Sequence, residues 1–299
     1  MKRKIAKRSV DERRRVVEHK KILKVFFVIF LIYSIILMFP LAWIFINSFK
    51  DGYTEFMENP WGLPQKFMFS NYTEILKMET FNIPEMFKNT LVLCISCTTA
   101  SIISTTFAAY VIAKYKFIFC KTIHFLYILP MVISIAGTTS SLYILMDSWD
   151  LVGTIRGMII MSCGGTGMNF LLLYSLYKNV SSTYMEAAFI DGAGHYRVFF
   201  QIMLPQGIGL IGTMWVLGFI GHWNEYASAK IFLGAEFYTL ATGIEKISEL
   251  VEGSANDFLM NNYPAFFAAI MMMVMPIVCI FLVFQKQIMK LSLGGGIKE

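Results

Sequence analysis

The stretch Glu186-Ala187-Ala188-Phe189-Ile190-Asp191-Gly192-Ala193-Gly194-His195-Tyr196-Arg197-Val198-Phe199-Phe200-Gln201-Ile202-Met203-Leu204-Pro205 is the longest polar interruption in the second half of a very apolar chain. Its first residues are good helix formers. Asp191-Gly192 then favours a turn, because glycine accepts positive φ without a Cβ clash. Val198, Phe199, Ile202 and Met203 return at one-turn spacing and predict a second helix with one apolar face. Pro205 has no N–H to give a helix ladder and marks the expected boundary with the next segment. The local reading is two short helices joined by a glycine turn, lying between two membrane spans. Amphipathic helices also rest on membrane surfaces with no protein partner, so the residues alone leave a re-entrant or interfacial segment open.

Working outward, the composition excludes an ordinary soluble domain. Of 299 residues, 56% are hydrophobic and 15% charged, and the mean hydropathy is +0.58. A helical span needs roughly 20 mostly apolar residues to cross the hydrocarbon. Six stretches supply them, at about 22–49, 89–114, 122–146, 154–177, 206–233 and 264–284. The expected fold class is all-α: a polytopic membrane protein with six transmembrane helices and cytoplasmic coupling helices, spanning residues 22–284. Pro40 is expected to kink the first span, and Pro130 lies inside the third.

The net charge of +6 is unevenly placed. Lys2, Arg3, Lys4, Lys7, Arg8, Arg13, Arg14 and Arg15 crowd residues 1–21. Lys and Arg beside span ends fix orientation, so this basic arm reads as cytoplasmic rather than as a nucleic-acid arm. It does not read as a cleavable signal peptide, because the apolar run that follows is span-length. The connections at 50–88 and 234–262 carry Asp51, Glu55, Glu58, Glu74, Glu79 and Glu85, and Glu236, Glu245, Glu249, Glu252 and Asp257. They read as hydrophilic outer segments, with Asn71-Tyr72 opening a surface helix. The short loop at 113–121 and the tail at 285–299 are basic and read as inner. Charge bias and span parity together place both termini and Glu186–Pro205 in the cytoplasm, with the chain in the cell membrane.

Little here carries chemistry. There is no GxxxxGK[ST] phosphate loop, so the chain has no evident means of holding ATP. Gly294–Gly296 lacks the flanking strand and helix of a phosphate cradle. His19, His124, His195 and His222 lie on separate segments, and no HExxH occurs. Cys94 and Cys97 have CxxC spacing inside an apolar run and read as packing residues. No catalytic residue, metal or cofactor is expected.

The pattern Glu186-Ala187-Ala188, Asp191-Gly192-Ala193, Phe199, Ile202 and Leu204-Pro205 resembles the EAA loop of the permease subunits of ABC importers. Pro40 to Lys50 (PLAWIFINSFK), Trp223-Asn224-Glu225-Tyr226 and the tail from Phe284-Gln285 to Gly296 are similar to the carbohydrate, maltose-type branch, specifically the six-span partner of its permease pair. Two positions depart from the pattern: Ser181 and Ser182 stand where a proline often precedes the loop, and Gly209 stands where one often follows Pro205. The resemblance implies a subunit that works with a second permease, with ATP-binding subunits that hydrolyse the ATP, and with an extracytoplasmic sugar-binding protein. It implies that the loop docks on the ATPase and moves as a lever during alternating access.

On that reading Glu186, Ala187, Ala188, Asp191, Gly192, Ala193 and Pro205 are the ATPase-coupling residues. Asp191 either caps the second helix or pairs with a basic residue of a partner. His195 and Arg197 face the partner or belong to a solvated polar face. His222, Trp223, Asn224 and Glu225 sit, by this reading, well inside the fifth span. Polar groups at membrane depth face protein or a water-filled cavity, so they are either a translocation lining suited to sugar rings and hydroxyls or an interhelical hydrogen-bonding cluster. The rival reading is a self-sufficient secondary carrier or a membrane-embedded enzyme. A neighbouring second permease gene and a binding-protein gene would separate the two.

Overall fold

A computed structural model of the chain describes residues 2–78, 82–133, 135–234, 237–252 and 262–294. The described residues form helices and connections: α1 (Lys2–Asn47), α2 (Gly52–Glu58), α3 (Ser70–Lys77), α4 (Ile83–Lys114), α5 (Cys120–Val132), a 3₁₀ turn (Ile135–Thr138), α6 (Thr139–Asp147), α7 (Ile155–Ser162), α8 (Gly167–Asn179), α9 (Thr183–Ile190), α10 (His195–Val198), a π-helical turn (Phe199–Met203), α11 (Leu204–Trp223), α12 (Ala227–Leu233), α13 (Leu240–Glu252) and α14 (Tyr263–Gly294). Glu79, Glu236, Asp257 and tail residues 295–299 lie outside the described residues.

By length and composition, four segments among the described residues can cross a membrane as continuous helices: Leu23–Asn47, Ile83–Lys114, His195–Trp223 and Tyr263–Lys286. The fourth predicted span is a helix pair, α7 and α8, bent by 48°. Its break contains Gly165 at φ +64°, where a Cβ would stand 2.1 Å from the Thr105 hydroxyl oxygen; only glycine lets the break press this closely on α4. The third predicted span is not one helix. It divides into α5, the 3₁₀ turn and α6, and neither helix alone is long enough to cross. Pro130 in the last turns of α5 removes a ladder donor there.

Helix α4 is the central post. It packs against α7, α8 and α11 along its length. At one end Met86 and Cys94 share a core with Phe219, Trp223, Ile247 and Ala268. At the other, Ile102, Ala109 and Tyr110 share a core with Phe170, Leu173 and Tyr177 of α8 and with residues of the Glu186–Pro205 stretch. The loop and the α1–α2–α3 connection therefore sit at opposite ends of a 32-residue helix, about 48 Å long at 1.5 Å per residue.

The arm and the first span form one unbroken helix, with Pro40 inside it. At the α3 end one expectation changes. The connection after α1 is not a purely hydrophilic surface segment. Asn71 of α3 is buried, and its amide donates to the carbonyls of Ser48 and Lys50, each at 2.9 Å. The Lys50 side chain is fully buried, with its amine donating to the Asn59 carbonyl. That burial lowers the Lys50 pKa, and the nearby Glu55 partly offsets it.

Candidate functional site

Helix α9 opens after Ser182 and carries Glu186 in its first turn, where the positive end of the helix dipole favours a carboxylate. It closes in a Schellman arrangement. The Ala193 N–H reaches back to the Ala188 carbonyl at 2.9 Å, and the Gly192 N–H to the Phe189 carbonyl at 3.0 Å. Gly192 occupies the left-handed position at φ +80°. The pairing places Ala193 against buried Ala188, the apolar contact that accompanies such an end. Small residues at 188 and 193 thus follow from the turn itself.

Beyond the turn, the chain enters α10 with Gly194 as N-cap and no side-chain cap. Asp191 is the last residue of the first helix end, exposed, and does not cap the second helix. Pro205 does not end the amphipathic helix either. From His195 to Trp223 the chain is one helical run. At Phe199–Met203 it widens into a π turn, with the Leu204 N–H on the Phe199 carbonyl, just where Pro205 has no donor to give.

The loop is tied to the bundle by its apolar face. Met185, Ala188, Val198, Phe199 and Met203 are buried against α4 and α8. Phe199 stacks on Phe107 with centroids 4.5 Å apart and lies 4.9 Å from the Tyr110 ring. The Lys114 amine donates to the Val180 carbonyl at the entry to α9. His195 Nδ1 is 2.8 Å from the Tyr115 hydroxyl, which is 3.2 Å from that of Tyr110. The imidazole also packs edge-on against Phe189 at 4.9 Å. His195 is thus held against Tyr115 and Phe189 on one side while it stays exposed on the other, as is Arg197. Arg197 bonds Gln201 within its own helix, Nε to Oε1 at 2.9 Å. Tyr115, Tyr110 and Phe107 complete this site and carry no local signal in the sequence.

The opposite face is open. Glu186, Ala187, Asp191, Gly192 and Pro205 are exposed and Ala193 half-buried. Around them stand bare apolar side chains: Ile190 is 86% exposed, Tyr196 80% and Tyr184 58%. The helix–turn–helix thus has a packed inner face and an uncovered outer face.

The second candidate group sits differently from expectation. Helix α11 ends at Trp223, residues 224–226 form a break and α12 follows, so His222 to Tyr226 lie at a break in the predicted fifth span rather than within one continuous helix. Trp223 is buried: it packs with Phe87 and Phe219, and its Nε1 donates to the Met273 carbonyl at 3.3 Å. Within this chain it is a packing residue. Asn224 is exposed and bonds the Ile220 carbonyl at 3.0 Å, while Glu225 accepts from the Ser228 N–H at 3.0 Å and so caps α12. His222 is half-buried. Next to them Lys230 bridges to Glu245 of α13 at 2.6 Å, with the Tyr226 hydroxyl bonded to both. Among the described residues no group of three or more His, Cys, Asp or Glu side chains is placed to hold a metal.

No family model matches the chain. It is 26% identical over 260 residues to the diacetylchitobiose uptake system permease protein NgcG of Streptomyces coelicolor, covering 86% of this chain and 83% of that one. It is 25% identical over 268 residues to the galactooligosaccharides transport system permease protein GanQ of Bacillus subtilis, covering 89% and 92%. Its fold matches a chain of a bacterial ABC transporter involved in the import of the acidic polysaccharide alginate, at a TM-score of 0.75 and 22% identity, over 87% of this chain and 93% of that one. Fold and relatives define the class, the permease subunit of an ABC importer. It is the class that the Glu186–Pro205 pattern implied, and the chain is a multi-pass membrane protein within it.

Proposed function

We propose that this chain is one of two membrane-spanning permeases of an ATP-driven carbohydrate importer, forming the translocation pathway with the second permease. Both termini and the Glu186–Pro205 loop lie in the cytoplasm. The ATP-binding subunits dock on the exposed face of α9 and α10, and an extracytoplasmic sugar-binding protein delivers substrate from the α3 end. The observation that carries the reading is the loop's two-faced geometry. Its inner face is welded to α4 and α8 through Val198, Phe199 and Met203, so a push on its outer face is transmitted to the spans. The sugar class is supported by NgcG and GanQ, whose names record a chitin disaccharide and galactooligosaccharides.

In this mechanism the chain performs no hydrolysis of its own. Closure of the ATPase pair moves α9 and α10, and α4, α8 and α11 reorient with them. Asn224 and half-buried His222 remain the positions here that offer hydrogen bonds to sugar hydroxyls. The test is uptake of a panel of labelled oligosaccharides in cells with and without the gene, paired with liposomes holding either this chain alone or the assembled importer. The expected result is flux and sugar-stimulated ATP turnover in the assembled importer only. Sugar flux through the chain alone would overturn the reading.

A further inference from the structure

The connection after α2, Asn59-Pro60-Trp61-Gly62-Leu63-Pro64-Gln65-Lys66-Phe67-Met68-Phe69, does not project away from the bundle. It folds back along α1. The Trp61 ring lies 6.1 Å from Phe39 in a stacked arrangement and 5.8 Å from Trp43, and Trp43 Nε1 donates to the Pro60 carbonyl at 2.9 Å. Phe39 and Trp43 are one to two turns before the end of α1 at Asn47. Trp61 is thus held roughly 6–12 Å back along the helix axis, beside side chains of the apolar segment Leu23–Asn47.

Despite these contacts Trp61 is 73% exposed and Leu63 74%, and Phe67 and Phe69 are exposed as well. Such a patch on a loop is costly in water. The rest of the loop suits a boundary between water and an apolar medium. It has one charged residue, Lys66, whose long stem lets a cation reach the headgroup level from an apolar setting. Pro60 and Pro64 have no N–H to leave unpaired. The N–H groups of Gly62, Gln65 and Met68 are taken by Asn59, the Glu55 carboxylate and the Phe49 carbonyl. Trp, Phe and Leu beside a Lys is the side-chain set of segments that lie in the bilayer interface.

We propose that residues 59–69 are a lipid anchor: a wedge seated at the headgroup–acyl boundary of the leaflet at the α3 end, with Trp61 and Leu63 against acyl chains. The wedge braces the exit of α1 through Trp43 and Phe39. Continuity with the bare apolar flank of α1, a span-length segment left uncovered by the rest of the chain, selects bilayer over protein as the occupant. The inference depends on α1 crossing the membrane and not on coupling to an ATPase.

The test is quenching of tryptophan emission by phosphatidylcholine brominated on its acyl chains near the headgroup, with wild type compared with Trp61→Phe. It is run on the chain alone and on the assembled importer in liposomes. The emission lost in Trp61→Phe should be the part that shallow bromines quench, in both preparations. Leu63→Trp in the Trp61→Phe chain should restore it. A Trp61 emission that brominated lipid leaves unquenched would place the loop in water and overturn the proposal. Quenching in the lone chain that vanishes in the importer would make the patch a contact with the second permease, and would overturn it equally.

Discussion

Gly192→Val is the sharpest perturbation of the coupling loop. Gly192 sits at φ +80°, and a Cβ built on it meets nothing within 4 Å. The whole penalty is therefore backbone strain and not a clash. An alanine at positive φ costs on the order of 1 kcal/mol, and a β-branched valine more, roughly 2. At 1.4 kcal/mol per factor of ten, the native turn loses roughly five- to thirty-fold in population against alternatives. Those alternatives break the Ala193-to-Ala188 and Gly192-to-Phe189 hydrogen bonds and rotate α9 against α10. Gly194 supplies the matched control: its added Cβ also meets open space, but its φ of −77° suits any residue. Gly194→Ala should be neutral. Abundance in the membrane should be normal for both variants, since the spans lie outside the turn. In the assembled importer, Gly192→Val should lower ATPase co-purification or the stimulation of ATP turnover by sugar, and Gly194→Ala should lower neither. Equal behaviour of the two variants would refute the φ argument.

Other outcomes follow from the same geometry. His195→Phe keeps the ring contact with Phe189 but loses the Tyr115 hydrogen bond, while His195→Asn keeps a polar atom near Nδ1; sugar-stimulated turnover should fall in the former and in Tyr115→Phe, and hold in the latter. Trp223→Ala empties a core site at a cost of about 3–5 kcal/mol, so immunoblots should show membrane abundance and uptake falling together, whereas Asn224→Ala should lower uptake more than abundance. The Glu245 carboxyl is held below its ordinary value of 4.5, first by the hydrogen bond from Lys230 and then by that from Tyr226. A depressed carboxylate contributes its stability above the unfolded pKa and loses it as pH falls through the folded one. The α12–α13 contact should therefore loosen only below about pH 4.5, read as hydrogen exchange of α13 amides corrected for intrinsic rates, and Glu245→Gln should remove that dependence.

The parts of this architecture that sequence revealed are those with local causes. Asp191-Gly192 announced a positive-φ turn, and Val198, Phe199 and Met203 announced the buried face, because both signals span one or two helical turns. Pro205 misled, because a helix can widen to a π turn and continue where a donor is missing. Hydropathy could not see the break between α5 and α6, since apolar residues on both sides of Val132 average smoothly across it. Trp223 belongs with Phe87 and Met273, contacts that bridge long sequence separations, so its neighbours Asn224 and Glu225 gave it a false polar context. The Tyr115–His195 bond joins positions 80 residues apart and has no local trace. The fold-back of residues 59–69 was hidden by the acids on either side, which made the whole connection look hydrophilic.

The central claim is that the exposed face of α9 and α10 touches the ATP-binding subunit and drives it. Ile190, 86% exposed beside the Gly192 turn, is the place to ask. With a photo-crosslinking benzoyl-phenylalanine incorporated at position 190 of the full importer in whole cells, illumination should join this chain to the ATP-binding subunit and arrest sugar uptake. A variant that imports sugar normally, and on illumination crosslinks only to lipid or not at all, would contradict the account.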